Sequence, residues 1–242
     1  MTDTTAVNQA YFNQLAAEYD SRFEKTVGRL EKEVRGLVDF IGAPEGGRLL
    51  DYACGTGLLS RALGDRMSQC VGVDVSESMV ELYNAKAKSQ RADHRPRGTQ
   101  GFTPEQRAAH VGNLLDPSDA SPTALSDAQF SNFDVAGVGA GFHHFDDAHL
   151  AAARLAQRLR PDGGVLFILD FVAHEADPDH GATKGVRHHG FTEAQMRDVF
   201  ERAGVGRGFE FRVMDEDVVF ENARGVGKHM TRRVFFARGE RA

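Results

Sequence analysis

Short, nearly continuous apolar runs alternate along the chain with segments whose apolar residues recur every three or four positions. The continuous runs suit parallel strands that are buried on both faces, and the recurring pattern is typical of amphipathic helices. Strands are predicted at Arg48–Tyr52, Cys70–Asp74, Ala108–Gly112, Phe133–Val138 and Val165–Phe171. Two later runs, Gly208–Met214 and Arg232–Arg238, are predicted to pair antiparallel at the sheet edge. This alternation predicts an α/β fold with a doubly wound, mostly parallel sheet of seven strands.

The N-terminal region is predicted to form two amphipathic helices. The apolar residues of the first helix are Val7, Tyr11, Leu15 and Tyr19. The second helix spans 27–41 and is expected to end at Gly42. Further along the chain, Ser76 is a predicted helix N-cap, and Thr192 with Gln195 matches a capping box.

The size and composition of the chain fit one globular domain. It has 242 residues, and 29 Lys and Arg against 35 Asp and Glu leave a formal charge of −6. Its 41% apolar content is ordinary for a protein with a packed core. We expect lid helices in residues 1–45 over a core of residues 46–242, with an insert near 173–190.

Charge and cysteine usage limit the partners and the location. The acidic balance argues against a nucleic acid partner, and no apolar run approaches the roughly 18 residues of a membrane span. Cys54 and Cys70 are expected to be free thiols, because the predicted strands hold them apart, as in a reducing compartment. The N-terminus lacks the pattern of a signal peptide, so we expect a cytoplasmic location. The oligomeric state is left open.

A glycine-rich turn between a predicted strand and a predicted helix is the strongest chemical signal. Gly55 and Gly57 lie in this turn, where glycine lets a ligand approach the backbone closely and a helix N-terminus offers free N–H groups. Asp74 ends the next predicted strand, where a carboxylate can accept hydrogen bonds from two ribose hydroxyls. Together the two elements predict a nucleoside-binding site. The alternative is a tight turn with a helix-capping aspartate.

These motifs resemble those of class I S-adenosylmethionine-dependent methyltransferases, which have a Rossmann-like fold. The segment 51–57 (DYACGTG) resembles the first motif of that family, with Ala53 in place of the usual first glycine. The segment 73–80 resembles the second motif. Asn113 stands where the third motif more often has Asp, and a polar side chain there meets the adenine amino group.

Other segments extend the resemblance over about residues 8–204. Segments 133–145 and 159–165 resemble the fourth motif and the turn that enters the fifth strand. Segment 11–20 resembles the N-terminal helix that covers the cofactor in the branch of ubiquinone and menaquinone biosynthesis. The GFHHF and HHGF stretches resemble those of small fungal methyltransferases.

The resemblance implies that S-adenosylmethionine is the cofactor and identifies the residues around it. Val75 and Leu114 would sandwich the adenine, and Asp74 would bind the ribose. Tyr11 and Tyr19 would close over the methionine end. The full predicted set is Tyr11, Tyr19, Asp51, Ala53, Gly55, Gly57, Asp74, Val75, Met79, Asn113 and Leu114.

Histidines are the candidate catalytic residues. Methyl transfer requires an in-line geometry, and it needs a base only if the nucleophile arrives protonated. His143 and His144 follow the fourth predicted strand, and two adjacent residues are not expected both to face the cleft. His188 and His189 precede a capped helix and could line the open end of the pocket, with packing as the alternative role. An apolar pocket for a small-molecule acceptor is predicted around Phe12, Phe142, Phe145 and Phe171.

No metal is expected at the site. Six potential ligands are close in sequence but lack the spacing of a metal site; they are His174, Glu175, Asp179, His180, His188 and His189. The Asp-Asn pair of metal-dependent catechol-type methyltransferases is absent. So is the Asn-Pro-Pro-Tyr motif of the enzymes that methylate amino groups of nucleic acid bases.

Other functions are left open by the sequence. A nicotinamide-dependent oxidoreductase has a similar sheet, although Asp51 before the glycines and the lack of a downstream Tyr-x-x-x-Lys count against it. A non-catalytic partner with this fold would use the basic loop 88–107 as its interface. A protein or RNA methyltransferase would need an open surface groove. The acceptor atom (S, N, O or C) is also left open.

Overall fold

A seven-stranded sheet forms the centre of the fold. The computed structural model describes residues 4–89, 103–175, 185–221, 227 and 229–242. The strands of the sheet are β1 Arg48–Tyr52, β2 Gln69–Asp74, β3 Arg107–Val111, β4 Val135–Gly139, β5 Val165–Phe171, β6 Arg207–Val213 and β9 Val234–Glu240. Their order is β3-β2-β1-β4-β5-β9-β6. The first five are parallel, and β9 runs antiparallel to both β5 and β6. The predicted Rossmann-like fold with an antiparallel C-terminal pair is confirmed.

Helices cover both faces of the sheet. They are α1 Thr4–Gly36, α2 Val38–Ile41, α3 Leu58–Leu63, α4 Glu77–Ser89, α5 Ala148–Arg158 and α6 Glu193–Arg202. Successive residues of β1 point to opposite faces, so Leu49 packs in the core under α1 and α3 while Leu50 packs in the core under α5 and α6. The strands near the middle of the sheet therefore contribute side chains to the hydrophobic core on both faces. In the described part of the chain, no helix is long and apolar enough to cross a membrane.

The N-terminal region differs from the prediction of two helices. Helix α1 is one continuous helix of 33 residues, and the break comes at Leu37. Residues 20–26 contain neither Gly nor Pro, so nothing in the sequence interrupts the backbone hydrogen bonds between the two predicted helices. Gly42 ends α2 with a left-handed φ of 75°, as expected.

The late part of the chain contains a hairpin that the apolar pattern does not predict. Strands β7 Val218–Phe220 and β8 Met230–Arg232 pair antiparallel, and the predicted strand 232–238 is divided between β8 and β9. Three-residue strands are too short to show a period. Thr26 Oγ1 of α1 donates a hydrogen bond to Val219 O at 2.8 Å, which holds the hairpin against the N-terminal helix.

Predicted details of the loops and caps have mixed outcomes. Ser76 Oγ accepts the Met79 N–H at 3.2 Å, and the capping box of Thr192 with Gln195 is present. Cys54 and Cys70 are free thiols, as predicted, and both are buried. Most of the predicted basic loop and the centre of the predicted insert, 90–102 and 176–184, lie outside the described residues, and so do Asp179 and His180.

Removal of the Thr192 cap is expected to destabilise the fold. Thr192 Oγ1 accepts the Gln195 N–H at 3.2 Å, so Thr192→Ala should lower the free energy of unfolding by about 1 kcal/mol. Thr192→Ser keeps the hydroxyl and should retain most of that stability. Urea denaturation of the three proteins measures the difference. Equal losses in the two variants would contradict the capping role.

Candidate active site

Two adjoining cavities lie at the carboxyl ends of the parallel strands, under α1. In doubly wound sheets this edge binds ligands near the point where the strand order reverses, here between β1 and β4. The glycine-loop cavity, of about 100 Å³, is lined by the turn after β1, the end of β2 and the turn after β4. The histidine cavity, of about 160 Å³, is lined by α1, the β7–β8 hairpin and two pairs of adjacent histidines.

The turn after β1 has a backbone that depends on glycine. Gly55 and Gly57 have left-handed φ values of 50° and 96°. A Cβ at Gly57 would lie 2.9 Å from the ring of Tyr83, so the close packing of loop and helix also excludes a side chain there. Ala53 has φ 50°, which is unusual for a residue with a Cβ. The turn therefore presents bare backbone to the cavity at the N-terminus of α3.

Asp74 ties the glycine loop to the start of α4. Its Oδ2 accepts the Gly55 N–H at 2.8 Å, and its Oδ1 accepts the Ser76 N–H at 2.9 Å. Burial raises the pKa of Asp74, and the backbone hydrogen bonds oppose that shift. Asp74 lines the glycine-loop cavity together with Val75 and Met79. A carboxylate oxygen can accept more than one hydrogen bond, so this group can serve the loop and a ligand at once.

Helix α1 forms the roof of both cavities and is fastened by polar contacts. Asn13 Oδ1 accepts from Ser76 Oγ at 2.7 Å, and Asp20 Oδ1 accepts from Thr56 Oγ1 at 3.1 Å. Tyr19 lines both cavities, whereas Tyr11 lines only the histidine cavity. The roof is therefore hydrogen-bonded to the same loop and helix end that Asp74 holds.

The histidine cavity brings the two histidine pairs together. His143 and His144 lie on a 3₁₀ turn after β4, and their ring centroids are 4.2 Å apart. Both line the cavity, so the expectation that only one of them could face the cleft is wrong. The tight turn places both rings on one side, which extended or α-helical backbone would not do. His188 and His189 line the same cavity.

His143 is held by a buried carboxylate. Asp170, at the end of β5, accepts from the His143 backbone N–H at 3.0 Å, and its Oδ1 lies 2.8 Å from Nδ1 of the ring. Asp170 is fully buried, and burial alone would raise its pKa. The nearby His143 and three hydrogen bonds outweigh that effect and hold the pKa of Asp170 below its usual value. In the described part of the chain, Nε2 of His143 has no hydrogen-bond partner, so it is the nitrogen available to the cavity.

His144 lies in the wall between the cavities as a neutral ring. Its Nδ1 lies 3.2 Å from Gly185 O, and its ring contacts the edge of Phe12. Burial, together with the neighbouring His143, lowers the pKa of His144 to about 3. Its imidazole is therefore uncharged at neutral pH.

Comparison with known proteins identifies the family. A family model described as a methyltransferase domain matches residues 27–205. The chain belongs to this methyltransferase family. Membership confirms the predicted resemblance to class I S-adenosylmethionine-dependent methyltransferases.

Individual relatives are similar to parts of this methyltransferase. It is 33% identical over 165 residues to an uncharacterised methyltransferase of Schizosaccharomyces pombe, covering 65% of this chain and 52% of the relative. It is 26% identical over 189 residues to the demethylmenaquinone methyltransferase of Renibacterium salmoninarum, covering 78% and 65%. The chain thus spans about half the length of the first of these relatives. Magnesium protoporphyrin IX methyltransferase from Synechocystis has the same fold, with a TM-score of 0.60, 17% identity, and coverage of 100% and 99%.

Several residues predicted to surround the cofactor lie away from the cavities of this methyltransferase. Asp51 is buried under the glycine loop, where its Oδ2 accepts from Ser60 N at 2.9 Å and Ser60 Oγ at 2.8 Å. Asn113 Oδ1 accepts the Leu115 N–H at 2.8 Å, and neither Asn113 nor Leu114 is among the described residues that line the glycine-loop cavity. Gly57 is not among the described residues that line either cavity. Their contact with a cofactor stays a prediction.

The aromatic residues are divided between the core and the cavities. Phe12 lines both cavities, Phe171 lines the histidine cavity, and Phe145 lines the glycine-loop cavity. Phe142 is instead fully buried in the core. Sequence reasoning also missed Asp170, although an acid at the end of the apolar run 165–171 was an available signal.

The carboxyl of Asp51 is expected to make stability depend on pH. Burial raises its pKa from 3.8 to about 7, with the Ser60 hydrogen bonds opposing that shift. Between about pH 4 and pH 7, the folded state therefore keeps the proton on Asp51, whereas the unfolded chain releases it. The stability that this gives is complete below about pH 4 and is lost as the pH rises to about 7.

Asp51→Asn removes that titration, so its free energy of unfolding relative to the native protein should rise across this pH window. Urea denaturation at a series of pH values measures the difference. The exposed Asp127→Asn variant is the control and should parallel the native protein. Parallel curves for Asp51→Asn as well would show that the shift is absent.

Proposed function

We propose that this chain transfers a methyl group from S-adenosylmethionine in the glycine-loop cavity to a small molecule in the histidine cavity. The observation that carries this proposal is the wall that the two cavities share. Its members are Phe12, Tyr19, Val27, Leu58, Ala140 and His144. Because the two cavities adjoin at these residues, a donor in one and an acceptor in the other can be held close together for in-line transfer, and α1 covers both from water.

The residues of the glycine-loop cavity fit the cofactor. Asp74 presents a carboxylate for the ribose hydroxyls, and the bare backbone near Gly55 allows close approach. Val75 and Met79 offer apolar surface to the adenine. When bound, S-adenosylmethionine supplies an electrophilic methyl group that a nucleophile displaces in line from sulfur.

His143 is the proposed general base. Its Nδ1 carries a hydrogen that Asp170 accepts, which fixes the tautomer and leaves Nε2 with a lone pair toward the cavity. Nε2 takes the proton that the nucleophile loses. This arrangement suits an acceptor that arrives protonated, such as a hydroxyl. Asp170 is a positioning residue that acts through His143.

His144 has a different proposed role. A pKa of about 3 makes its nitrogen a weak base, so it is a poor choice for proton removal near neutral pH. Its neutral ring in the shared wall avoids placing a positive charge beside a sulfonium. His189 lines the acceptor side, where it contacts the ring of His174 at 5.8 Å between centroids.

The proposed acceptor is a small molecule, without a metal. Apolar side chains dominate the described walls of the histidine cavity, and no group of three His, Cys, Asp or Glu side chains in the described residues could hold an ion. The demethylmenaquinone methyltransferase among the relatives is named for a small-molecule acceptor, which supports the same class here.

Cofactor binding is the first test. We expect S-adenosylmethionine and S-adenosylhomocysteine, but not NAD, to bind in calorimetry. Asp74→Ala should weaken binding by at least about tenfold, because it removes the carboxyl group that would accept hydrogen bonds from the ribose. Exposed Asp127→Ala is the control and should bind as the native chain does. Failure of both S-adenosyl compounds to bind would overturn the proposed function and favour a non-catalytic partner.

The base is tested with an acceptor found by screening small alcohols, thiols and amines for release of S-adenosylhomocysteine. His143→Gln should lower kcat by about 10²–10⁴-fold and leave cofactor affinity unchanged. The matched control is His149→Gln, because His149 is an exposed histidine that pairs with Asp198 on α6. Equal effects of the two variants would exclude His143 as the base.

The role of Asp170 is tested without an acceptor. Asp170→Asn should change the tautomer of His143, because an amide can donate to Nδ1 where the carboxylate only accepts. Nitrogen NMR of the labelled histidine rings reports the tautomer. An unchanged tautomer would mean that Asp170 does not position the ring.

A further inference from the structure

The wall that the two cavities share has one small member. Five of the six described residues that line both cavities have a branched aliphatic side chain or a ring, and the sixth is Ala140, whose side chain is a methyl group. Ala140 directly follows β4 and packs, partly buried, against the core under α1 and α3. A group that moves from one cavity to the other therefore meets the least side-chain volume at Ala140.

The residues on either side of Ala140 are glycines with little room for a side chain. A Cβ at Gly139 would lie 3.2 Å from Cγ of Leu59, and a Cβ at Gly141 would lie 3.3 Å from Cβ of Ala53. Both distances are shorter than ordinary van der Waals contact, so the chain at the end of β4 is packed closely against α3 and the glycine turn. In this segment, Ala140 therefore contributes the side chain that sets the width of the wall.

The backbone at Ala140 is held in an unusual conformation. Its φ of 60° lies in the left-handed region, which a residue with a Cβ seldom adopts. Its N–H donates to Leu169 O on β5 at 2.8 Å, which continues the hydrogen bonding between β4 and β5 beyond the end of β4. Such strain persists where the surrounding structure fixes it, and it is concentrated at functional sites. The place of the Ala140 methyl group in the wall is therefore set by the sheet.

Ala140 lies close to the proposed base along the chain. The 3₁₀ turn that carries His143 begins at Phe142, and the Gly141 carbonyl accepts the His144 N–H at 3.2 Å. The turn is thus built directly on the residue that follows Ala140. In-line transfer needs sulfur, methyl carbon and nucleophile on one line, with the nucleophile within reach of the base. A small side chain in the wall beside that turn meets this requirement.

We infer that the methyl group of S-adenosylmethionine lies against Ala140 and crosses the shared wall there. In that step a bond forms between the nucleophile and the methyl carbon as the bond from that carbon to sulfur breaks. The electron pair stays on sulfur, which becomes the neutral thioether of S-adenosylhomocysteine, and Nε2 of His143 takes the proton of the nucleophile. The inference rests on the proposed function, and it assigns Ala140 as the residue whose small side chain leaves the passage open.

The test measures how well the protein distinguishes two cofactor forms that differ in this methyl group. S-Adenosylmethionine and S-adenosylhomocysteine are titrated by calorimetry into the full chain without an acceptor. Ala140→Asn enlarges the side chain with a residue that tolerates left-handed backbone. We expect it to weaken binding of S-adenosylmethionine at least about tenfold more than binding of S-adenosylhomocysteine, because overpacking of a close contact is costly.

Two further variants at the same position and one control complete the series. Ala140→Ser adds a single oxygen, so it should change the ratio of the two affinities in the same direction by a smaller factor. Ala140→Gly removes the methyl group and suits the left-handed backbone, so it should leave the ratio within about twofold of native. Ala128→Asn is the matched control, because Ala128 is exposed and lines neither cavity. Thermal unfolding shows which variants are folded, and Ala140→Ser decides if Ala140→Asn is not.

The outcomes separate this inference from the proposed function. An unchanged ratio in the enlarged variants, an equal loss of both compounds, or a change of the same size in Ala128→Asn would overturn the inference. Binding of both compounds to the native chain tests the proposed function. If both bind while the ratio does not respond to the side chain at position 140, only the place of crossing is wrong. If neither binds, the proposed function and the inference fail together.

Discussion

The active site depends on two buried carboxylates that hold the turn after β1. Gly57 is the N-cap of α3 and has no side chain to cap the helix, and Asp51 at the end of β1 supplies an acceptor for the Ser60 N–H. Asp74 supplies the acceptors for Gly55 and Ser76. Burial raises the pKa of both acids, so the protein bears a desolvation cost at this turn. The hydrogen bonds of these two acids hold the backbone of the turn in its shape before a ligand binds.

Helix α1 extends this organisation from the cofactor side to the acceptor side. It hydrogen-bonds to Thr56 and Ser76 at the glycine loop, and Asn8 Nδ2 donates to His144 O at 3.3 Å at the histidine turn. At its other end, it holds the β7–β8 hairpin through Thr26. One helix is therefore bonded to the glycine loop, the start of α4, the histidine turn and the β7–β8 hairpin, which makes it the natural element to couple cofactor binding to acceptor binding.

The sequence by itself determined the seven-stranded sheet, the helix ends that carry a local capping signal, and the family. Runs of apolar residues buried on both faces identify parallel strands, and β1 and β5 were predicted to the residue. Caps at Ser76 and Thr192 are local, because donor and acceptor lie three residues apart. The glycine turn and Asp74 could be recognised for the same reason: each is a short motif attached to a strand end.

Tertiary structure alone decided which side chains meet. The contact of His143 with Asp170 spans 27 residues, and the meeting of the two histidine pairs depends on a 3₁₀ turn that periodicity does not reveal. Arg232 reaches the cavity on a hairpin of three-residue strands, too short to show a pattern. Asp51, predicted beside the cofactor, turns under the loop because Ser60 offers two donors there. A sequence shows how residues are spaced along the chain. A site is made by contacts between residues that are distant in sequence, and the packing of the helices and the sheet sets those contacts.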